Sequence, residues 1–362
     1  MNVVVTFGEI MARLAAPGNL RLRQTHELEV TYAGAEASVA ASICNFGGAA
    51  RYVTALPKHA LAEATMDSLR AVGIDTRYVR RTDVGRLGIY FLETGANQRP
   101  SHVIYDRADS AVSITPATQY AWDAIYDGAV WLHISGITPA LSQTAADVTL
   151  EAAKHAKAAG AQVSCDLNFR KTLWRWDASQ SPRGRAEQTM RGILPFVDVV
   201  IANEEDCADV LGIHAAETDV HAGELNTARY PDVARQVVAR FPNVSKVAIT
   251  LRQSLSATHN NWGAMLYDAR ADRPLFAPLD GDGNYQPYPI KNIVDRVGGG
   301  DAFAGGLIFA LTTSELAEPQ TAVNYAVAAS CLKHSIKGDV NFSTRAEVEA
   351  LTGGSASGRV VR

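Results

Sequence analysis

Short, continuously apolar runs alternate along the chain with longer stretches whose apolar residues recur at helical spacing. VVVTF from Val3, RYVTAL from Arg51, AVWLHIS from Ala129, AQVSCDLN from Ala161, VDVVIAN from Val197 and KVAITL from Lys246 are the short runs, and they carry no sustained polar alternation. A strand of that kind is buried on both sides, the pattern of a parallel sheet covered by helices. AEASVAASICNF, LAEATMDSLRAVG and TAADVTLEAAKHAKAAG supply the helical stretches, and Gly73 and Gly160 stand where a left-handed helix end is wanted. The pattern predicts the α/β class, as an open, doubly wound sandwich.

Two segments break the alternation, about residues 11–32 and 85–107. In the second, LGIYFLET and SHVIYDR flank the turn-rich GANQRP and predict a hairpin. Together the two segments predict a small β appendage inserted in one large domain of residues 1–352, with GGSASGRVVR at 353–362 as a frayed tail.

Composition narrows the partners. The chain has 362 residues, of which 47% are apolar and 20% charged, and this places it among ordinary folded proteins. A net charge of -4 without any Lys/Arg run excludes nucleic acid as a main partner. Cys44, Cys165, Cys207 and Cys331 lie far apart, which suits free thiols in a reducing compartment. The start, MNVVVTFGEIMARL, carries Glu9 and Arg13 where a signal peptide would be uninterrupted, and no uncharged run is long enough for a membrane span. A cytoplasmic protein without membrane contact is expected.

In open sheets of this kind the ligand lies beyond the carboxyl ends of the strands. The residues to inspect are therefore Gly8 and Glu9, Ser135 and Gly136, Asp166 to Arg170, and Asn203 to Asp206. To these is added DRVGGGDAFAGGLIFAL, Asp295 to Leu311, which runs from three glycines and an aspartate into an apolar helix. Gly298, Gly299 and Gly300 leave successive backbone N–H groups unobstructed, and a helix starting near Asp301 adds its positive end, an arrangement suited to a phosphoryl group. Asp301, at a helix start where a carboxylate keeps a low pKa, could accept a proton from a hydroxyl. The same residues could instead serve as a helix cap and close packing. There is no Walker-type lysine loop and no G-x-G-x-x-G near the N-terminus, so the common nucleoside-triphosphatase and dinucleotide folds lose ground. His133 and His334 show no metal-ligand spacing.

DRVGGGDAFAGGL resembles the second signature of the ribokinase-like (PfkB) sugar kinases. TFGEIMARLAAPG, YAGAEASVAASICNFGG, VTALP, VGIDT, WLHISGITPAL, DLNFR, NEED and HSIKGDVNFST follow in the order of that family's 2-keto-3-deoxygluconate kinase branch. The resemblance implies a three-layer, mostly parallel ribokinase-like sheet with a β-sheet lid, ATP as phosphate donor, magnesium as cofactor, and a terminal hydroxyl of a sugar acid as acceptor. Asp301 would be the base, and the Val297 to Gly300 amides would stabilise the transferring group. DLNFR offers Asp166, Asn168 and Arg170 to the cleft. The resemblance gives Arg170 and, from YDR, Arg107 to the acid substrate, with Tyr105 beside it and with Gly34, Tyr90 and Asp339 as further substrate contacts. Asn203 and Asp206 would act on magnesium through water, and Ser254 would border the nucleotide. The lid would exclude water and pair between subunits as a homodimer.

The chain departs from the family pattern in places. Ala33-Gly34 and Ser38 replace Gly-Gly and Asn in the first signature. TLRQSLSATHNNWGAMLYD replaces a short glycine turn beside the nucleotide, and Val327 stands where an asparagine is frequent. Two other readings therefore stay open: a kinase of a neutral sugar such as fructose or ribose, and a regulator that binds sugar or nucleotide without catalysis.

Overall fold

The computed structural model describes residues 2–203, 205–213 and 227–354, so most of the expected tail, and Glu204 of NEED, lie outside the described residues. In chain order the strands are β1 (Val3–Phe7), β2 (Met11–Ala15), β3 (Glu29–Ala33), β4 (Ala49–Val53), β5 (Ala55–Pro57), β6 (Arg80–Thr82), β7 (Gly88–Glu93), β8 (His102–Asp106), β9 (Ala129–Ser135), β10 (Gln162–Asp166), β11 (Val199–Asn203), β12 (Lys246–Ser256), β13 (His259–Asp268), β14 (Arg273–Ala277) and β15 (Tyr288–Lys291). The helices are α1 (Ala35–Asn45), α2 (Ala60–Ala71), α3 (Ala111–Ile114), α4 (Trp122–Tyr126), α5 (Gln143–Ala158), α6 (Pro182–Ile193), α7 (Asp206–Leu211), α8 (Tyr230–Arg240), α9 (Gly299–Leu311), α10 (Pro319–Lys333) and α11 (Arg345–Thr352).

The main sheet runs β14-β13-β12-β11-β10-β9-β1-β4, with β15 also on β13. From β4 to β12 every neighbour is parallel; the β13 to β15 end is antiparallel. Alternate residues of the continuous apolar strands feed two separate cores, which is why those strands lack a polar face. Val4, Val199, Ile201 and Ala248 join the core under α1, α9 and α10, whereas Val5, Phe7, Val200, Val247 and Ile249 join the one under α5, α6 and α8. At ~25 cal/mol per Å² of apolar surface, burial of this kind is the main stabilising term. Helix ends are set locally: Ser142 accepts from the Ala145 amide at the start of α5, and Thr344 and Glu347 form a capping box on α11.

The two irregular segments form a second sheet, in the order β3-β2-β7-β8. LGIYFLET and SHVIYDR pair as the expected antiparallel hairpin, with Tyr90 opposite Tyr105, while β2 and β7 are parallel. No helix among the described residues is long and apolar enough to cross a membrane. The four cysteines are free thiols, with Cys165 and Cys207 fully buried.

Candidate active site

The chain leaves β1 toward β4 on one side and returns to β9 on the other, so the strand order switches direction beside β1. Beyond the carboxyl ends at this point opens a cleft of about 400 Å³, roofed on one side by the small sheet. Every expected site residue except Ser254 lines it.

At its floor lies the glycine run. Helix α9 starts at Gly299, two residues earlier than expected, with Gly298 as its cap at φ +84°. A side chain at Gly298 would be strained in that conformation and would collide with the Asp339 carbonyl oxygen. Around Gly300, by contrast, a Cβ would meet nothing. The amides of Gly298, Gly300 and Asp301 find no acceptor among the described residues and form the anion hole at the positive end of the helix. Val297 does not contribute as expected, because its N–H donates to Asp295 Oδ1 at 3.0 Å. Gly299 N–H is turned toward the Arg296 carbonyl at 3.4 Å.

Asp301 stands in the first turn of α9 beside these amides, but its carboxyl does not keep the low pKa expected of a helix start. Burial, reinforced by Asp339 and Glu36, pushes it up to about 7, with Arg170 and Lys333 acting the other way. Desolvation outweighs the helix end here. The result is a base whose pKa matches neutral pH, the value most effective for accepting a hydroxyl proton.

The expected acid-binding groups meet across the cleft from two elements. Arg170 follows β10 and is exposed toward the cleft; its guanidinium donates to the adjacent Phe169 carbonyl at 3.1 Å. Arg107 follows β8, lies 5.2 Å from the centre of the Tyr105 ring, and is ion-paired with Glu9 at the end of the β1 loop. Tyr90 and Asp339 bind each other rather than standing free: Tyr90 donates to Asp339 Oδ2 at 2.7 Å, and Asp339 Oδ1 is ion-paired with Arg13. Arg13 also pairs with Asp295 at 2.5 Å, in a fully buried network. Gly34 caps α1 at the cleft wall, and the next turn carries Glu36, which accepts from Ser135 Oγ at 2.6 Å and Thr138 Oγ1 at 3.1 Å.

On the opposite wall stand Asp166, Asn168, Asn203 and Asp206. Burial raises the pKa of Asp166 well above the carboxylate range, and Asp206 and Asp301 raise it further. Asp206 is less free than the metal assignment requires: Oδ1 accepts from the Phe169 amide and Oδ2 from the Asn203 amide, each at 3.0 Å. Asn203 returns the contact to the Glu205 and Asp206 amides through Oδ1. Asn168 turns the chain at φ +39°, a conformation asparagine tolerates. Among the described residues no group of three or more His, Cys, Asp or Glu is arranged to hold a metal.

Ser254 is the one misplaced candidate. The replaced turn is a long continuation of the β12–β13 ladder, in which Ser254 pairs with Asn260 and points to solvent outside the cleft. The hairpin instead sends Thr250, Arg252 and Trp262 into the cleft, joined by Arg296 from the glycine loop. Val327 lies fully buried in the core and does not reach the cleft lining. Sequence reading flagged Glu9 by its position after β1, but gave no signal for Arg252, nor for Arg13, Asp295 or Arg296, whose partners are far away in the chain.

Comparison with known proteins agrees with this geometry. A relative from Haloferax volcanii, 2-dehydro-3-deoxygalactonokinase, is 34% identical over 98% of both chains. The 2-dehydro-3-deoxygluconokinase of Bacillus subtilis is 27% identical over 84% of this chain and 81% of its own. The crystal structure of 2-dehydro-3-deoxygluconokinase from Thermotoga maritima superposes with a TM-score of 0.87 at 43% identity, covering 98% of this chain and all of that one. A family model described as pfkB family carbohydrate kinase matches residues 1–345. The fold, the glycine loop with its aspartate, and this match over nearly the whole length agree: the chain belongs to the pfkB family of carbohydrate kinases.

Proposed function

We propose that the protein transfers the γ-phosphoryl group of ATP to the terminal hydroxyl of a sugar acid of the 2-keto-3-deoxygluconate class. The observation that carries this reading is the placement of Asp301 and the free Gly298, Gly300 and Asp301 amides in one cleft with Arg107 and Arg170. Asp301 takes the hydroxyl proton as the oxygen attacks phosphorus, while the amides hold the charge that develops on the transferring group. A guanidinium fork matches a carboxylate, so Arg170 from the sheet and Arg107 from the lid favour an acid over a neutral sugar. The three relatives above act on sugar acids according to their names, which supports the same class.

Magnesium fits the opposite wall. Burial, with Asp206 and Asp301 beside it, raises the proton affinity of Asp166, and a dication carried in on the donor's phosphates would relieve that repulsion. Asp166, which accepts from the Asn168 backbone, would face the ion, and Asn203 and Asp206, each engaged with backbone amides, would act on it through water. Free thiols suit a cytoplasmic setting, and the lid's outer face suits a homodimer.

A coupled assay of ADP release tests the reading. Turnover is expected with 2-keto-3-deoxygluconate or its galactonate epimer, lost with EDTA and restored by magnesium. Arg107→Ala and Arg170→Ala should raise KM for acids by about 10-fold or more, the scale of a lost charged hydrogen bond. Robust turnover of neutral sugars alone would defeat the sugar-acid assignment. Sugar binding without ADP release, indifferent to Asp301→Asn, would leave a regulator instead.

A further inference from the structure

The end of the cleft facing the β12–β13 hairpin carries positive charge that the chemistry above leaves unused. Arg252 extends from β12, opposite Trp262 in the ladder, and its side chain is exposed. Arg296 precedes the anion hole by two residues. Its Nη2 donates to the Ser256 carbonyl at 3.0 Å and to Asn260 Oδ1 at 3.1 Å, both neutral groups, and its Nε is buried with no acceptor. Among the described residues neither guanidinium has a carboxylate within ion-pair distance. Burial, with Arg252 close enough to add to the effect, holds Arg296 below the ordinary arginine range.

The pair stands next to the phosphoryl site. The Trp262 ring lies 5.2 Å from that of His334, and a Cβ on Gly299 would meet His334 Cε1 at 2.9 Å. The hairpin, the two arginines and the amides of the α9 N-terminus therefore share one wall of the cleft. Two like charges held together without a counter-charge, at a site ending in unfilled N–H donors, call for an anion with several negative charges.

We propose that Arg252 and Arg296 bind the polyphosphate tail of the phosphoryl donor. Arg296 is the fixed member, anchored to the hairpin by its two neutral contacts, and Arg252 closes on the tail from the strand. Together they fill the role for which a lysine is absent from the glycine loop. The proposal rests on the kinase reading, but its ligand is the polyphosphate alone, and so the two can be separated.

The test is calorimetric titration of the full chain with inorganic tripolyphosphate, beside steady-state kinetics. Arg252 is exposed, so Arg252→Ala should keep the wild-type melting temperature. Tripolyphosphate is expected to bind the wild type at one site, at least tenfold more weakly in Arg252→Ala, with part of the loss restored in Arg252→Lys. KM for ATP should rise in parallel while KM for the sugar acid stays constant. Equal tripolyphosphate affinity in wild type and Arg252→Ala overturns the proposal, as does an effect confined to KM for the sugar acid, which would give Arg252 to the acceptor. Arg252-dependent tripolyphosphate binding in a protein that phosphorylates no sugar acid would uphold this site and remove the sugar-acid reading.

Discussion

At the scale of single residues, the site depends on Asp301 and on two glycines with different reasons to be glycine. Asp301 is the base in this reading, and Asp301→Asn should lower kcat by about 10²- to 10⁴-fold with the fold intact, measured by ADP release. Glu36, Asp339 and Asp166 face this carboxyl as like charges, and Arg170 and Lys333 face it as cations. In the free enzyme it titrates at about 7, so kcat/KM for the acceptor should rise as pH increases through that value. The stability effect has the opposite direction. A carboxyl raised above its unfolded value of about 3.9 binds its proton more tightly in the native state, so stability is gained as pH falls through 7 and the charged form is a burden above it. Asp301→Asn should therefore raise the melting temperature of the ligand-free protein more at pH 8 than at pH 5, where only the first part of the window between the unfolded and native values has been crossed; an equal effect at both values would show that burial does not control this group. Gly300→Ala adds a methyl where nothing is in the way, so the fold should hold while kcat falls by about 10²-fold from obstruction of the anion hole. Gly298→Ala meets both the positive φ and the Asp339 carbonyl, and should instead destabilise the protein by about 1–3 kcal/mol in urea unfolding.

At the scale of elements, the lid is tied to the catalytic loop by charge. Arg13 on β2 reaches Asp295 before the glycine run and Asp339 after α10, and Tyr90 on β7 reaches Asp339 as well. Asp295 in turn accepts from the amides of Val297 and Gly338, and the fully buried Lys333 donates to the carbonyls of Asp295 at 3.3 Å and Ile336 at 3.1 Å. Removing Arg13 leaves two carboxylates buried beside a single remaining cation. Arg13→Met should thus cost about 3–5 kcal/mol in urea unfolding, and a loss under 1 kcal/mol would show that the network is not holding the lid. None of this was legible in the sequence, because Arg13 lies 282 and 326 positions from its partners and no local pattern announces such a pair. What was legible has a local cause: strands buried on both faces must be apolar throughout, GANQRP must turn, and a glycine run before an apolar helix must expose amides. Ser254 failed for the complementary reason. Whether a polar stretch turns or continues a ladder is decided by the strand opposite, and here β13 extends the pairing to the end of β12. The base was identifiable by its place in the motif, but its proton affinity was not, since its burial and the neighbouring charges of Asp339 and Glu36 come from other parts of the fold.

At the scale of the whole molecule, the small sheet has two unlike faces. Arg13, Tyr90 and Tyr105 sit in register on the face toward the cleft, so the intervening residues project the other way. There Val30, Leu14, Phe91 and Ile104 are cross-strand neighbours and form one apolar row across all four strands, with Val30 54% and Ile104 46% exposed. A continuous apolar row spanning a sheet, unlike scattered exposed side chains, marks a surface that another surface covers. A second copy of the lid supplies a matching row, and a two-fold arrangement closes the contact without leaving a free patch. The expected solution mass by sedimentation equilibrium is twice that of the chain. Val30→Glu, at the edge of the row and away from the cleft, should halve it, because a carboxylate in that row would have to be desolvated against its own copy. The two consequences for catalysis differ. Asp301 and its amides belong to the main sheet of one chain, so kcat should persist in the monomer. Arg107 and Tyr105 ride on the lid, so an unpaired, less constrained lid should raise KM for the sugar acid. A wild-type protein of single-chain mass, or a Val30→Glu variant that stays double, would remove the dimer; a monomer with unchanged KM would keep the dimer and deny it any part in holding the lid over the substrate.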